Sequence, residues 1–249
     1  MIYAGDVGMD SLDISSWHNI VILTGAGVSA ESGLSTFRGA GGMWENHRIE
    51  DVATPEAFAT NPGLVYRFYN ARRRQLGEVS PNAAHRALVE LERSWPGHFT
   101  LISQNVDDLH QRAGSNRLIS MHGELAKMRC QRTGVVHDAP VSFDGQDRCP
   151  CCKQPGNLRP HVVWFGEVPL QLDDIVARLS DCDLFVAVGT SATVYPAAGF
   201  VALANQAGAA TLEINAEPTE ASSRFDRHWR GAATEQVSRL VDHLLNSAV

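Results

Sequence analysis

Residues 19–30 read Asn19-Ile20-Val21-Ile22-Leu23-Thr24-Gly25-Ala26-Gly27-Val28-Ser29-Ala30. The first six have the length and apolar, β-branched character of a short buried strand. The G-x-G-x-x-A match that follows at once permits a tight turn and close approach of a pyrophosphate. A helix N-terminus after it would face the negative charge. Alone this signal is moderate, because loops with two glycines are common.

Working outward, the same arrangement recurs. Thr100–Ser103 is an apolar run that ends in Gln104-Asn105-Val106-Asp107. Arg117–Met121 ends in His122-Gly123, Asp183–Val188 in Gly189-Thr190-Ser191, and Thr211–Ile214 in Asn215-Ala216-Glu217. Helix-like patterns lie between or after them, over Pro81–Arg93, Leu170–Ser180, Ala197–Gln206 and Thr234–Leu245. Strands alternating with helices predict a parallel sheet covered on both faces, with ligand beyond the carboxyl ends of the strands. Five strand ends carrying glycine or small polar residues are hard to read as loops alone. Residues 39–80, with a Gly-rich loop and helical patterns, and residues 127–160, short and Cys-rich, break the alternation. Both read as insertions that build a smaller second lobe.

An NAD-dependent dehydrogenase would need an acidic residue about 20 positions past the glycines, at the end of a second strand. Glu45 falls at that distance, but its surroundings read as a loop or short helix, which weakens a hydride-transfer reading. After the glycines come Phe37 and Arg38. Phe37 is a candidate cover for a reactive ribose, or a core residue. Arg38 is a candidate phosphate clamp, or a surface arginine.

The segment GAGVSAESGLSTFRG, followed in order by QNVD, MHGE, HVVWFGE, GTS and NAE, resembles the sirtuin family of NAD-dependent protein deacylases over about residues 18–245. Ala53 in DVATPEAF, Tyr69 and Arg72 in RFYNARRRQL, and LRPHVVWFGE at 158–167 narrow the likeness to class III, with the bacterial CobB-type enzymes. The resemblance implies an α/β fold: a Rossmann-like, doubly wound parallel sheet over 14–38, 81–126 and 161–249. The smaller lobe would combine a helical insertion (39–80) that forms the acyl pocket with a zinc-binding insertion (127–160).

It also implies removal of acetyl and succinyl groups from lysine side chains. The acyl oxygen attacks the nicotinamide ribose of NAD and expels nicotinamide. His122 then acts as general base on a ribose hydroxyl, which attacks the imidate carbon, and hydrolysis yields free lysine and O-acyl-ADP-ribose. An unperturbed histidine already titrates near pH ~6.5, which suits that role. Asn105 and Asp107 complete the catalytic set. Gly25, Ala26, Gly27, Ser29, Glu31, Thr36, Phe37, Arg38, Trp44, Gln104, Gly189, Thr190, Ser191, Asn215, Ala216, Glu217 and Ala233 are the expected cofactor contacts. Tyr69 and Arg72, spaced i, i+3 on one helix face, would receive the distal carboxylate of succinyl-lysine in a pocket widened by Ala53. A guanidinium fork suits that carboxylate. Val163, Phe165, Gly166 and Glu167 would bind the extended substrate.

Five cysteines, four of them crowded into residues 130–152, do not form a disulfide framework and point to a reducing, cytoplasmic setting. Cys149 and Cys152 make one C-x₂-C knuckle, and Cys130 opens another, but Thr133 stands where the family's second cysteine belongs. Structural zinc on Cys130, Cys149 and Cys152 is the expectation. Cys151, His137 or a water would complete it, or the metal has been lost; the alternative is a cluster of reduced thiols.

The 249-residue chain carries 21 Lys+Arg against 28 Asp+Glu, net −7, with Lys127 and Lys153 its only lysines. An acidic chain without a basic block has no footprint for unspecific nucleic-acid binding. No run reaches the ~20 apolar residues of a membrane span. Residues 1–17 hold Asp6, Asp10 and Asp13 and no Lys or Arg, unlike a signal or presequence. Acylated lysine-containing proteins are the expected partners. Oligomeric state stays open, leaning to a monomer. The rival readings are a Rossmann oxidoreductase, which lacks its acidic ribose anchor, and a non-enzymatic NAD-binding module, which would be expected to lack His122 or Asn105. An ADP-ribosyltransferase stays close to the deacylase, since the same cofactor activation serves both.

Overall fold

The computed structural model describes residues 16–35 and 47–247, and the backbone of 43–44. Along the chain run β1 (Asn19–Thr24), α1 (Gly27–Ala30), β2 (Met43–Trp44), β3 (His47–Arg48), α2 (Ile49–Val52), α3 (Pro55–Thr60) and α4 (Pro62–Leu76). Then come α5 (Ala83–Ser94), β4 (His98–Ser103), α6 (Leu109–Ala113), β5 (Leu118–Ser120), β6 (Gly123–Cys130), β7 (Val136–Asp138) and β8 (Leu158–Val162). The last are α7 (Leu172–Leu179), β9 (Leu184–Val188), α8 (Phe200–Ala207), β10 (Ala210–Asn215), β11 (Arg227–Arg230) and α9 (Ala233–Ser247).

Six strands form one sheet in the order β11-β10-β9-β1-β4-β5, every pair parallel. Numbered within that sheet, the order is 3-2-1-4-5-6 read from the β5 edge, the doubly wound arrangement. Side chains alternate across it, as strand geometry requires. Ile20 and Ile22 of β1, with Leu184, Val186 and Val188 of β9, join the core that contains Leu88 and Leu91 of α5 and Val237 and Leu240 of α9. Val21 and Leu23, with Phe185 and Ala187, join the opposite core with Ile175 of α7 and Phe200 of α8. Burial on both faces explains why these strands read as unbroken apolar runs.

β11 was not foreseen. Its sequence, Arg-His-Trp-Arg, buries only Trp229 at the sheet edge, and charged side chains suit an edge strand. Among the described residues, no strand of the main sheet falls between β1 and β4 in the chain, since β2 and β3 pair only with each other. The dehydrogenase-type acidic strand end therefore has no counterpart among the described residues, and Glu45 lies outside them.

The smaller lobe centres on α4, which starts at Pro62 with Asn61 capping the backbone of Leu64. One side of α4 packs Val65, Phe68 and Tyr69 with Val52, Ala53, Leu125 and Trp164. The other places Tyr66 against Met128, Phe143 and Leu158 of the antiparallel sheet β7-β6-β8 and its loops. Tyr66 Oη donates to Leu158 O, and Asn70 exchanges hydrogen bonds with the Phe143 backbone. The small sheet extends past both ends of residues 127–160, since β6 begins at Gly123 and β8 ends at Val162.

The turns after β1 and β9 touch through backbone. Gly27 N donates to Gly189 O at 2.8 Å, and a Cβ on Gly189, whose φ is +60°, would lie 2.6 Å from Val28 N. Neither φ nor space admits a side chain. Gly189→Ala is expected to cost about 1–3 kcal/mol, read as a lower midpoint in chemical denaturation; an unchanged midpoint would refute this packing.

Candidate active site

A single cavity of about 620 Å³ opens at the carboxyl ends of β1, β4, β9 and β10 and continues under α4. That volume lies within the usual range of small-molecule sites, roughly 300–1,000 Å³. Gly25, Ala26, Gly27, Ser29 and Glu31 line it from the first turn, and Gly189, Thr190 and Ser191 from the turn after β9. Asn215, Ala216, Glu217 and Ala233 line a further part. Gln104, Asn105, Asp107 and His122 come from the ends of β4 and β5. Ala53, Tyr69, Arg72, Val163 and Phe165 line it from the smaller lobe. Thr36, Phe37 and Arg38 lie outside the described residues, as does the Trp44 side chain.

The polar groups are tied to one another. Asn105 Nδ2 donates to Gly25 O (3.1 Å) and Ser29 Oγ (3.2 Å), and Ser29 Oγ donates to Asp107 Oδ2 (3.0 Å). Burial raises the Asp107 carboxyl above its ordinary range, although donors from Leu109 N and Ser29 oppose this. Gln104 Nε2 reaches Thr190 Oγ1 at 2.9 Å, and Asn215 Nδ2 reaches Thr190 O at 2.7 Å. Glu31 accepts from the backbone and hydroxyl of Thr234, joining the first turn to α9.

His122 Nδ1 lies 2.9 Å from the Gln104 carbonyl. A carbonyl only accepts, so Nδ1 carries the proton there and Nε2 keeps its lone pair for use as a base. Burial lowers the His122 pKa below the ordinary value, and the Gln104 bond only partly offsets it. Behind this edge, His110 Nε2 meets Thr24 Oγ1 at 3.0 Å, Thr24 Oγ1 donates to Ser103 Oγ, and Asn105 N donates to the same oxygen. The His110 and His85 rings lie 4.7 Å apart at a tilt of 59°, and burial lowers their pKa values to about 3 and about 4, so both stay neutral.

Tyr69 and Arg72 are both buried on the cavity side of α4. Tyr69 Oη accepts from Trp164 Nε1 at 2.9 Å. Trp164 is in turn held from below. The Arg159 guanidinium lies 3.4 Å from the centre of its ring, and Glu167 accepts from Trp164 N (2.8 Å), Arg159 and Arg129. Gly166, at φ +88°, makes the turn that brings Glu167 back onto Trp164. Glu167 and Gly166 are thus absent from the cavity wall, and their geometry is that of a support. Trp164 and Arg159 were missed in the sequence, where an apolar run and a lone arginine carry no sign of this pairing. Val106 and Leu125 also line the cavity unforeseen.

At the far end of the small sheet, the Sγ atoms of Cys130, Cys149, Cys151 and Cys152 all lie within 4.8 Å of one another. Cys130 and Cys152 Sγ are 3.8 Å apart, close to the ~3.8 Å edge of a tetrahedron of sulfurs around zinc. The Thr133 hydroxyl draws the Cys130 pKa down to about 6, which favours the thiolate a metal needs. The four sulfurs fit zinc, and Cys151 joins Cys130, Cys149 and Cys152 while His137 stays out of the cluster. Cys151 Sγ lies 3.2 Å from Thr133 Oγ1, beside the position of the missing cysteine. Cys151→Ser should weaken zinc retention against a chelator by about tenfold or more and alter the cobalt-substituted absorption spectrum. Equal retention would exclude Cys151 as a ligand.

Comparison with known proteins gives a consistent result. The model of the Sir2 family matches residues 25–196. An NAD-dependent protein deacylase of Salmonella typhimurium is 54% identical over 228 residues, covering 91% of this chain and 84% of the relative. The crystal structure of a Sir2 homologue–NAD complex superposes with a TM-score of 0.85 at 40% identity, over 95% of this chain and 93% of the other. A Sir2 structure bound to a myristoylated histone peptide gives a TM-score of 0.72 at 33% identity, covering 94% and 93%. Matched by the family model over more than half of its length and 54% identical to a relative over most of both chains, this chain belongs to the Sir2 family.

Proposed function

We infer that the protein is an NAD-dependent protein-lysine deacylase, and that it accepts succinyl-lysine beside acetyl-lysine. The observation that carries this is one continuous cavity lined at one part by the glycine turns, at another by His122, Asn105 and Asp107, and at a third by Tyr69 and Arg72. A hydride-transfer enzyme of this fold would carry an acidic ribose anchor at the end of a second strand, which the described residues lack, and a mere binding module has no use for a poised base. The relatives named NAD-dependent protein deacylase and the Sir2 complexes with NAD and an acylated peptide support the same assignment.

Bound NAD supplies an activated ribose carbon from which nicotinamide departs. The chain's own groups account for the rest. Gly25 and Gly27, without side chains, let the backbone and the start of α1 approach the pyrophosphate. Thr190 and Ser191 offer hydroxyls to phosphate or ribose, and Asn215, with Ala216, Glu217 and Ala233, receives the adenosine half. Asn105 and Asp107, fixed through Ser29, orient the nicotinamide ribose, and His122 Nε2 takes the proton of a ribose hydroxyl.

The acyl group extends toward α4. Ala53 leaves room there, and Phe165 N donates to Ala53 O at 3.0 Å, holding the floor of the channel to its wall. Arg72 offers a guanidinium fork to a distal carboxylate, and Tyr69, held by Trp164, offers its hydroxyl beside it. Val163 and Phe165, the latter 45% exposed, would flank an extended peptide. No helix among the described residues is long and apolar enough to cross a membrane. A cytoplasmic place is proposed from the reduced cysteine cluster.

Three measurements test the reading. Nicotinamide release should depend on acyl peptide. Arg72→Met should raise KM for succinyl-lysine peptide by about tenfold or more, the worth of a charged hydrogen bond, with acetyl-lysine turnover largely kept. Equal loss on both would remove the carboxylate role. The acidic limb of kcat/KM should fall below ~6.5, the value of free imidazole. The base works when neutral, and burial extends that state to lower pH. A limb above neutrality, or one unchanged in His122→Ala, would exclude His122 as the base.

A further inference from the structure

Glu213 sits in the middle of β10 and is 1% exposed. A buried carboxylate persists only when its oxygens are filled by donors. Thr219 Oγ1 donates to Oε1 and Ser222 Oγ to Oε2 at 2.6 Å. Arg230 Nη1 lies 2.8 Å from Oε2, and His228 Nδ1 lies 3.4 Å from the same atom. Burial alone would raise this carboxyl, but donation from Ser222, Thr219 and Arg230 overrides it and holds the group ionised.

These donors come from two separate segments. Thr219 and Ser222 lie in the loop after β10, and Arg230 ends β11. Arg230 also reaches Ser222 Oγ (3.2 Å) and the Glu217 carbonyl (3.4 Å), closing the network on itself. Residues 216–219 of the first segment line the cavity, and Gly231, Ala232 and Ala233 line it directly after the second. An apolar side chain could fill the same space in the sheet. What the carboxylate adds is a buried set of bonds to both segments at once, beneath the direct contacts of Arg230 with Ser222 and Glu217.

We propose that Glu213 is a positioning residue for the nucleotide: by tying loop 216–222 to the end of β11, it sets the shape of the cavity end that receives the adenosine half of NAD. This rests on the assignment of that end to adenosine made above. Glu213 touches no part of the acyl channel and none of the groups around His122, so its effect separates from chemistry.

The test uses the full-length enzyme with acetyl-lysine peptide and NAD. Glu213→Gln keeps the shape but removes the charge, and Arg230→Gln removes the same tie from the more exposed side. Both are expected to raise KM for NAD by about tenfold, the worth of one charged hydrogen bond. The kcat at saturating NAD and the KM for peptide should stay within about twofold. ADP-ribose binding by calorimetry should weaken in parallel, while nicotinamide inhibition stays unchanged. Asn215→Ala serves as the control for the adenosine assignment. If it raises KM for NAD while Glu213→Gln and Arg230→Gln do not, the positioning role is wrong and the assignment stands. If none of the three changes KM for NAD, both are wrong. If Glu213→Gln fails to fold and Arg230→Gln behaves as the parent, the carboxylate is structural only and the proposal falls.

Discussion

The backbone contact between the turns after β1 and β9 is the constraint on which the rest of the molecule depends. Gly25 N donates to Val188 O and Gly27 N to Gly189 O, so two neighbouring strands end in one shared knot of backbone. Any Cβ at Gly27 would stand 2.6 Å from Gly189 Cα. Since β1 and β9 meet where the strand order reverses, their turns lead away to opposite faces, and a crevice opens between them. The other strand ends are then referred to this knot. Asn105 from β4 is bonded to the Gly25 carbonyl, Gln104 to Thr190, and Asn215 from β10 to the Thr190 carbonyl. Side-chain amides from the ends of β4 and β10 thus reach the Gly25 and Thr190 carbonyls and the Thr190 hydroxyl.

The smaller lobe closes the crevice through α4, and it is organised by polar groups as much as by apolar ones. Burial of a charge pair seldom stabilises a protein by itself, but a closely bonded one defines geometry. Arg159, Glu167 and Arg129 illustrate this beneath Trp164, whose indole N–H then meets Tyr69. Glu213, Arg230 and Ser222 repeat the device at the other end of the cavity. The middle of the site is supported differently. There, neutral groups (Thr24, Ser103 and a buried histidine) pass hydrogen bonds to the Asn105 backbone. Charged networks shape the two ends of the cavity, and a neutral one supports the strand end between them.

Much of this was legible in the chain. Five of the six main-sheet strands announced themselves as apolar runs because both faces of the sheet are covered, and their small polar ends marked the cavity edge. β11 was hidden because an edge strand buries little, and Trp229 alone cannot signal a strand. The i, i+3 spacing of Tyr69 and Arg72 implied a shared face, which α4 presents to the cavity. The same reasoning could not place Glu167. Its position after Val163-Trp164-Phe165-Gly166 suggested substrate contact, whereas the turn at Gly166 folds it back onto Trp164. Cys151, third in a crowded Cys-Pro-Cys-Cys run, was one of several candidates to complete the zinc set, and the fold places its sulfur among the other three and beside Thr133.

The local sequence by itself determined the alternation of strands and helices, the glycines that must bear the phosphate turn, and the identity of a histidine, an asparagine and an aspartate at strand ends. These follow from periodicity, backbone freedom and residue chemistry, all properties of short segments. Only tertiary structure decided which ring nitrogen of His122 keeps its lone pair, because that depends on a carbonyl 18 residues away. It also decided that Tyr69 is held by a tryptophan 95 residues further on, and that Glu213 gathers its donors from two loops. Such choices rest on hydrogen bonds between distant segments, whose geometry exists only once the two lobes have packed.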